Sequence, residues 1–252
     1  MNGAPKILRP YVAGAQRSES SNPLPDALKP GKRVRLGVIS NPLSGGNRRG
    51  LSAVRAALEN CLQADHFEAS TPSEVGSALA ELARREVDVV AINGGDGTIH
   101  AVLTELFRRQ LPGPFPVLAV LRSGTTSLIA RDVGLIGSRQ RALRRLLTWV
   151  NTGNGMPAIV QRPILKVEKV PHREPLYGMF FGMAGICQGI QYFHSHLNTR
   201  GLGGELSAGL TMMRFLLAAV RGHKDLFPEP ITVGLDGKSP KKQDFLLILI
   251  ST

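Results

Sequence analysis

The sequence predicts a two-part protein: an N-terminal three-layer α/β domain built on a parallel sheet, followed by a β-rich domain of sandwich type that is incomplete. Three observations predict it. Between Val34 and Val133, three apolar runs of strand length each pass through a turn rich in Gly, Ser or Thr into a segment with helical apolar spacing, the repeating unit of open parallel sheets. Asn151 to Pro157 (NTGNGMP) then breaks this pattern, and most of the apolar runs beyond it are short and extended. Finally, 252 residues at 42% hydrophobic and 20% charged supply core for one large or two modest domains. The expected divisions are a flexible leader over 1–32, the α/β domain over 33–153, and the β-rich domain, truncated, over 154–252.

The leader is read from Pro5, Pro10, Pro23, Pro25 and Pro30 set among Ser, Asn and Gly with little periodicity. Val34 to Ser40 is the first strand, Asn41 to Gly46 its turn, and Arg48 to Leu62 an amphipathic helix carrying Leu51, Val54, Leu58 and Cys61 on one side. His66 to Ala69 is a short strand leading through Thr71-Pro72 to a helix over 73–85, with Pro72 fitting its first turn. Pro116 to Leu121 is a further buried strand, followed by the loop 122–126 and a helix through Ile129 and Val133. Ser138 to Val150 is a helix with Leu143, Leu146, Leu147 and Val150 on one face and four arginines largely elsewhere. It reads either as a core helix with a solvated basic face or, with Trp149 near its end, as a helix lying on an anionic bilayer.

Beyond the boundary, Ile159 to Val170, Leu176 to Met183, Ile231 to Leu235 and Phe245 to Ser251 are expected as strands, and Asp236-Gly237 as a hairpin turn. Leu206 to Val220 is an apolar helix, a core element or one wall of an acyl pocket. His194 and His196 read as a polar loop, because no cysteine or carboxylate cluster accompanies them.

The stretch from Val87 to His100 (VDVVAINGGDGTIH) concentrates the chemistry. A buried strand runs into Asn93-Gly94-Gly95-Asp96-Gly97-Thr98 and then a helix through Ile99, Val102, Leu103 and Leu106. Glycines let backbone close on a ligand, and the N-terminus of the following helix favours anions, so the turn reads as a phosphate seat. A carboxylate there has two readings. Asp96 holds a cation such as Mg2+ that bridges to phosphate oxygens, or Asp96 or Thr98 simply caps the helix. Because ligands of parallel sheets gather beyond the carboxyl ends of strands, the loop 41–46 is expected beside 94–98, with Gly124 and its hydroxyl neighbours at the same edge.

These motifs carry a family resemblance. GGDGT at 94–98, the loop Asn41-Pro42-Leu43-Ser44-Gly45-Gly46 and the later Ser123-Gly124-Thr125 resemble the catalytic domain of the diacylglycerol kinases, which include sphingosine and ceramide kinases. GGDGT alone is shared with NAD kinases; the first loop points to the lipid-kinase branch. The resemblance spans roughly Arg35 to the C-terminus and suggests a bacterial-type member. It implies ATP-dependent transfer of the γ-phosphoryl group to the hydroxyl of a diacylglycerol- or sphingoid-type lipid, in a cleft between the two domains, with ATP and Mg2+ as cofactors. It implies nucleotide contacts from Asn41, Pro42, Leu43, Ser44, Gly45, Thr71, Gly94, Gly95, Asp96, Gly97, Thr98, Ile99, His100, Gly124 and Thr125, with Asp96 also at the metal. For Thr71, helix capping is an equal alternative.

The chain departs from the family pattern in two places. Gly-Thr-x-Asn-Asp is here Gly124-Thr125-Thr126-Ser127-Leu128, and the aspartate often found near 161 is replaced by Gln161-Arg162-Pro163. The family's general base is expected in a segment beyond Thr252, so no catalytic base is assigned and this chain is expected to lack it. The rival readings are a catalytically inactive nucleotide- or lipid-binding regulator of the same fold and, disfavoured by the first loop, an NAD kinase.

A formal net charge of +12 calls for anionic partners. ATP, a lipid substrate and an anionic membrane surface fit. Nucleic acid is set aside, because no helix-turn-helix, zinc or RNA-binding motif is present and aromatics are only 5%. A homodimer is allowed. With Cys61 and Cys187 in apolar periodic stretches, no N-terminal apolar signal and no run of membrane-spanning length, the expected location is cytoplasmic with peripheral membrane association.

Overall fold

The computed structural model describes residues 6–12, 28, 33–48, 50–59, 61–109, 111, 115–124, 127–168, 174–184, 231–236, 238–243, 245 and 247–252. The chain divides into two compact units, residues 1–179 with Thr252 and residues 180–251.

The first unit is a seven-stranded mixed sheet with helices on both faces. Its strands are β1 (Lys6–Val12), β2 (Leu36–Ser40), β3 (Ala64–Glu68), β4 (Val89–Gly94), β5 (Val117–Arg122), β6 (Ala158–Val167) and β7 (Leu176–Gly178), in spatial order β3-β2-β4-β5-β1-β6-β7. The helices are α1 (Leu51–Glu59), α2 (Pro72–Arg84), α3 (Asp96–Arg108), α4 (Leu128–Val133) and α5 (Arg139–Thr152). Every residue of β2 and β4 is buried, and all of β5 except Arg122, as expected for central strands covered on both sides.

Alternation sorts their side chains into two cores. Leu36, Val38, Val89, Ala91, Val117, Ala119 and Leu121 meet Leu51, Val54 and Leu58 of α1 and Leu143, Leu146 and Trp149 of α5. On the opposite face, α2 packs against α3 and reaches the sheet. Gly37 there makes room for Leu82, since a Cβ would lie 2.6 Å from a Leu82 methyl.

Strands β3, β2, β4 and β5 are mutually parallel. From β2 the chain passes through α1 to β3 on one side, then through α2 to β4 on the other. The strand order therefore reverses between β2 and β4, the position where open sheets place ligands. Register aligns the carboxyl ends: Ser40 stands opposite Asn93, and Asn93 opposite Leu121.

Two expectations are corrected. Lys6–Val12, placed in the leader by its prolines, form β1, parallel to β6 along its whole length and antiparallel to β5 at Leu8. Ile7 and Leu8 are fully buried, and that burial outweighs the breaker signal. Pro10 lies past the single bridge to β5, so its missing N–H leaves no gap on that side. Second, β6 and β7 belong to the first unit's sheet and not to a second domain; with β1 they make the sheet mixed where a parallel one was expected. As the first reading of that helix held, Trp149 and the apolar stripe of α5 are core, and its apolar face packs inward.

In the second unit, β8 (Phe180–Ala184) pairs antiparallel with β11 (Leu247–Ser251), and β9 (Ile231–Val233) with β10 (Lys241–Gln243). The Lys238 N–H donates to the Leu235 carbonyl at 2.9 Å, closing the expected turn at Asp236. Gly237, the 206–220 helix, His194, His196 and Cys187 lie outside the described residues; Cys61 is buried. Among the described residues no helix is long and apolar enough to cross a membrane.

Candidate active site

Three loops leave the aligned ends of β2, β4 and β5. A row of buried polar residues stands directly beneath them. Ser40 ends β2, Asn93 is the next-to-last residue of β4, and Ser123 follows β5; each is at most 2% exposed. The Asn93 amide donates to Ser40 Oγ at 2.9 Å, and the Ser123 hydroxyl donates to Asn93 Oδ1. His66 of β3 extends the row, its Nε2 lying 2.9 Å from Ser40 Oγ. Burial, opposed by Glu68 and assisted by Arg55, holds His66 below the ordinary imidazole range. Buried polar groups need partners, and here they find them in one another, so the ends of β2, β4 and β5 are fastened at one level and tied to the middle of β3.

The first loop hangs from this row. The Asn41 N–H donates to the Asn93 carbonyl at 3.0 Å, and Asn47 Nδ2 donates to the carbonyls of Asn41 at 2.7 Å and Asn93 at 2.8 Å. The Asn41 side chain then turns outward. Its Oδ1 accepts from the Leu43 N–H at 2.9 Å, and its Nδ2 donates to Thr98 Oγ1 at 3.0 Å, tying the first loop to the second. Gly46 N–H reaches the Ser123 carbonyl at 2.9 Å and ties it to the third.

Arg139, from the start of α5, supports the loop from behind, donating to Asn47 Oδ1 at 2.7 Å and to the Gly50 carbonyl at 3.1 Å. A Cβ at Gly50 would meet this guanidinium, so the glycine leaves space for it. Burial lowers the Arg139 pKa, no carboxylate pairs with it among the described residues, and its Nε is buried without a partner there.

The second and third loops meet backbone to backbone: a Cβ on Gly124 would stand 2.6 Å from the Gly95 Cα, a contact no side chain permits. Gly95 is the N-cap of α3 and makes no side-chain cap, which removes the alternative reading of Asp96 or Thr98 as the cap of α3. Asp96 is instead the first helical residue, and its carboxylate caps a different helix. Its Oδ2 accepts from the Leu128 N–H and its Oδ1 from the Ile129 N–H, both at 3.1 Å, at the start of α4. Ser127 aims those donors by adopting a left-handed conformation, φ 51°, with its hydroxyl donating to the Gly124 carbonyl at 2.9 Å.

The predicted residues are therefore distributed as follows. Asn41, Gly94, Gly95, Asp96, Thr98 and Gly124 come together across the three loops. Leu43, Gly45 and Gly97 form an exposed rim, and space around Gly97 is open. Pro42 and Ser44 are half-buried in the first loop. Ile99 is fully buried, which closes its side chain to any ligand. His100 is half-buried beside Gly178, and burial, opposed by Asp96, lowers its pKa. Thr71 is the N-cap of α2 in a reciprocal capping box with Glu74, its Oγ1 accepting the Glu74 N–H at 3.2 Å. Thr125 lies outside the described residues. Sequence reasoning assigned no role to Ser40, His66, Asn47 or Arg139, and read Ser123 only as part of the third loop. The available signal was a polar residue closing each apolar strand run; Arg139, remote in sequence, had none.

With this geometry in view, the comparisons are informative. Residues 35–152 match the family model for the diacylglycerol kinase catalytic domain. That stretch is similar to the catalytic domain of this family. No curated protein matches the chain. Two solved structures of a "putative diacylglycerol kinase" from Bacillus anthracis str. Sterne resemble it, one at 15% identity and TM-score 0.51, covering 86% of this chain and 63% of the other. The second has 17% identity and TM-score 0.50, covering 86% and 65%. At that identity the likeness establishes a shared fold. The chain spans less than two thirds of the length of these structures. The matched stretch contains all three loops, the polar row beneath them and Arg139.

Proposed function

We propose that this chain is the nucleotide-binding part of a lipid kinase, which takes ATP and transfers its γ-phosphoryl group to the hydroxyl of a diacylglycerol- or sphingoid-type lipid at an anionic membrane. The observation that carries this reading is the convergence of three glycine-bearing loops at the strand-order reversal, two of them in backbone contact at Gly95 and Gly124. The first turn of α3 leaves the N–H groups of Asp96 and Gly97 outside the helical ladder, and exposed Gly45, Gly46 and Gly97 leave backbone open to a polyphosphate. In the transfer, the lipid oxygen bonds to the γ-phosphorus as its bond to the bridging oxygen breaks. ADP leaves and the hydroxyl proton is released. Such chemistry depends on positioning and charge neutralisation, which suits a site made of fastened loops.

The fit to Mg2+ is specific. Asp96 spends one acceptor site on each oxygen for the α4 amides, and no cluster of three His, Cys, Asp or Glu surrounds it among the described residues. A protein cage is therefore not built. A hydrated Mg2+ held by the remaining lone pairs of Asp96 and by phosphate oxygens fits, since this ion keeps most of its waters. Bound there, it would neutralise phosphate charge. The chain's own contribution is to hold Asp96 rigidly through α4.

Calorimetric titration with ATP and Mg2+ tests the binding step, with saturable heat expected; none at millimolar nucleotide from folded protein would overturn the reading. A second reading, a regulator that binds nucleotide without transfer, is favoured by one observation. Where the family pattern has Asn-Asp, Leu128 offers only its N–H to Asp96, and Gln161-Arg162 supply no carboxylate: Arg162 pairs with Asp132 at 3.1 Å. Transfer of labelled phosphate to diacylglycerol or sphingosine in mixed micelles separates the two.

A further inference from the structure

The most distinctive feature outside the phosphate loops is a groove of about 610 Å³ along α5. Its floor is apolar, with Leu135, Leu146 and Pro157, and its edge carries Arg141 and Arg145, one helical turn apart. Both arginines are exposed and form no ion pair among the described residues. Nor is there an acid nearby in sequence: residues 133–167 contain no Asp or Glu, while Arg139, Arg141, Arg144, Arg145, Arg162 and Lys166 fall within them. The turns flanking α5 expose large apolar side chains, Ile136 at 38% and Met156 at 40%. Gly137, Gly153 and Gly155 hold those turns in left-handed conformations open only to glycine-like residues.

We infer that this face of α5 is the surface by which the protein docks on an anionic phospholipid bilayer. Arg141 and Arg145 contact headgroup phosphates while Ile136 and Met156 enter the interface. The helix does not insert its own apolar stripe, which is core. The apolar contribution comes from the turns at its two ends, and the unopposed arginines between them supply the charge. A basic surface alone would suit nucleic acid equally. Exposed aliphatic side chains around an apolar floor are what direct it to lipid, because bases need aromatic or polar partners whereas an interface takes Ile and Met. The inference rests on the reading that the substrate is presented by a membrane, but the surface is separate from the phosphate loops and is tested without nucleotide.

The test is sedimentation of the full 252-residue chain with vesicles of phosphatidylcholine containing 0 or roughly 30% phosphatidylserine, a range in which anionic surface potential is felt. Binding is expected only with phosphatidylserine and should weaken as salt rises. Arg141→Gln/Arg145→Gln should lower the partition coefficient about thirtyfold. Ile136→Ser/Met156→Ser should lower it while preserving the salt dependence. Lys241→Gln/Lys242→Gln, which removes the same charge from β10, should leave it near wild type. Circular dichroism establishes that each variant is folded. Equal binding by wild type and the arginine variant, equal loss in the lysine variant, or binding of duplex oligonucleotide through these arginines without vesicle binding would each overturn the inference. ATP titration of the arginine variant should match wild type, so failure of the kinase reading and failure of this one give different results.

Discussion

Asp96 shows how a residue can be legible as important while its physical task stays hidden. As the only carboxylate in its motif it had two readings, metal ligand or cap of its own helix. In the fold it caps a neighbouring helix whose start lies 32 residues further along. Asparagine serves well at an ordinary N-cap, where one oxygen accepts. Here both oxygens accept, and an amide would turn its NH2 toward one of the two N–H groups. Asp96→Asn is therefore expected to cost about 1–2 kcal/mol, measured by urea unfolding. Mg2+-dependent ATP affinity should fall further than that loss of stability accounts for. Arg139 makes the complementary case of a positioning residue. Arg139→Met would leave Asn47 Oδ1 and the Gly50 carbonyl unpaired but would also remove a poorly compensated cation, so global stability should drop by only about 1–2 kcal/mol. The signature is local: amide exchange at Gly46, Asn47 and Gly50 should accelerate more than elsewhere.

At the level of elements, β1 is the most instructive. A seven-residue segment near the N-terminus, with a proline in it, fills the place between β5 and β6 and buries Ile7 and Leu8 completely. If it is integral to the sheet, Ile7→Ala should cost about 2–5 kcal/mol, the range for emptying a core site. A value near zero in a denaturant titration would return this segment to the status of a leader. Helix α5 carries two roles that its sequence pattern mixes. Its inward stripe of Leu143, Leu146 and Trp149 builds the core, and its first residue props the loop that follows β2.

At the scale of the whole molecule, pH acts through the half-buried imidazoles. His66 and His100 are both held below the ordinary value, chiefly by burial. An unfolded chain titrates near 6.5, so between the folded and unfolded values the unfolded state binds more protons. The stability tied to the neutral rings is complete above about pH 6.5 and declines as pH falls below it. Unfolding midpoints measured from pH 8 to pH 5 should decrease on the acid side, and His66→Gln, which keeps a polar contact to Ser40, should flatten that slope. A slope unchanged in this variant would move the effect to other groups.

By itself the sequence determined the strand, loop and helix order from β2 to α5, the three glycine-bearing loops and their resemblance to a known family. These rest on local signals: apolar period, turn chemistry and a motif whose residues are adjacent. Only the tertiary structure decided which groups those residues would meet. Ser40, Asn93 and Ser123 are one polar residue each along the chain and become a network because register brings strand ends to one level. Gly95 and Gly124 need no Cβ because of each other. Pro10 looked like a breaker, yet it sits in a strand because the energy of burying Ile7 and Leu8 comes from partners more than 100 residues away, which no local window contains.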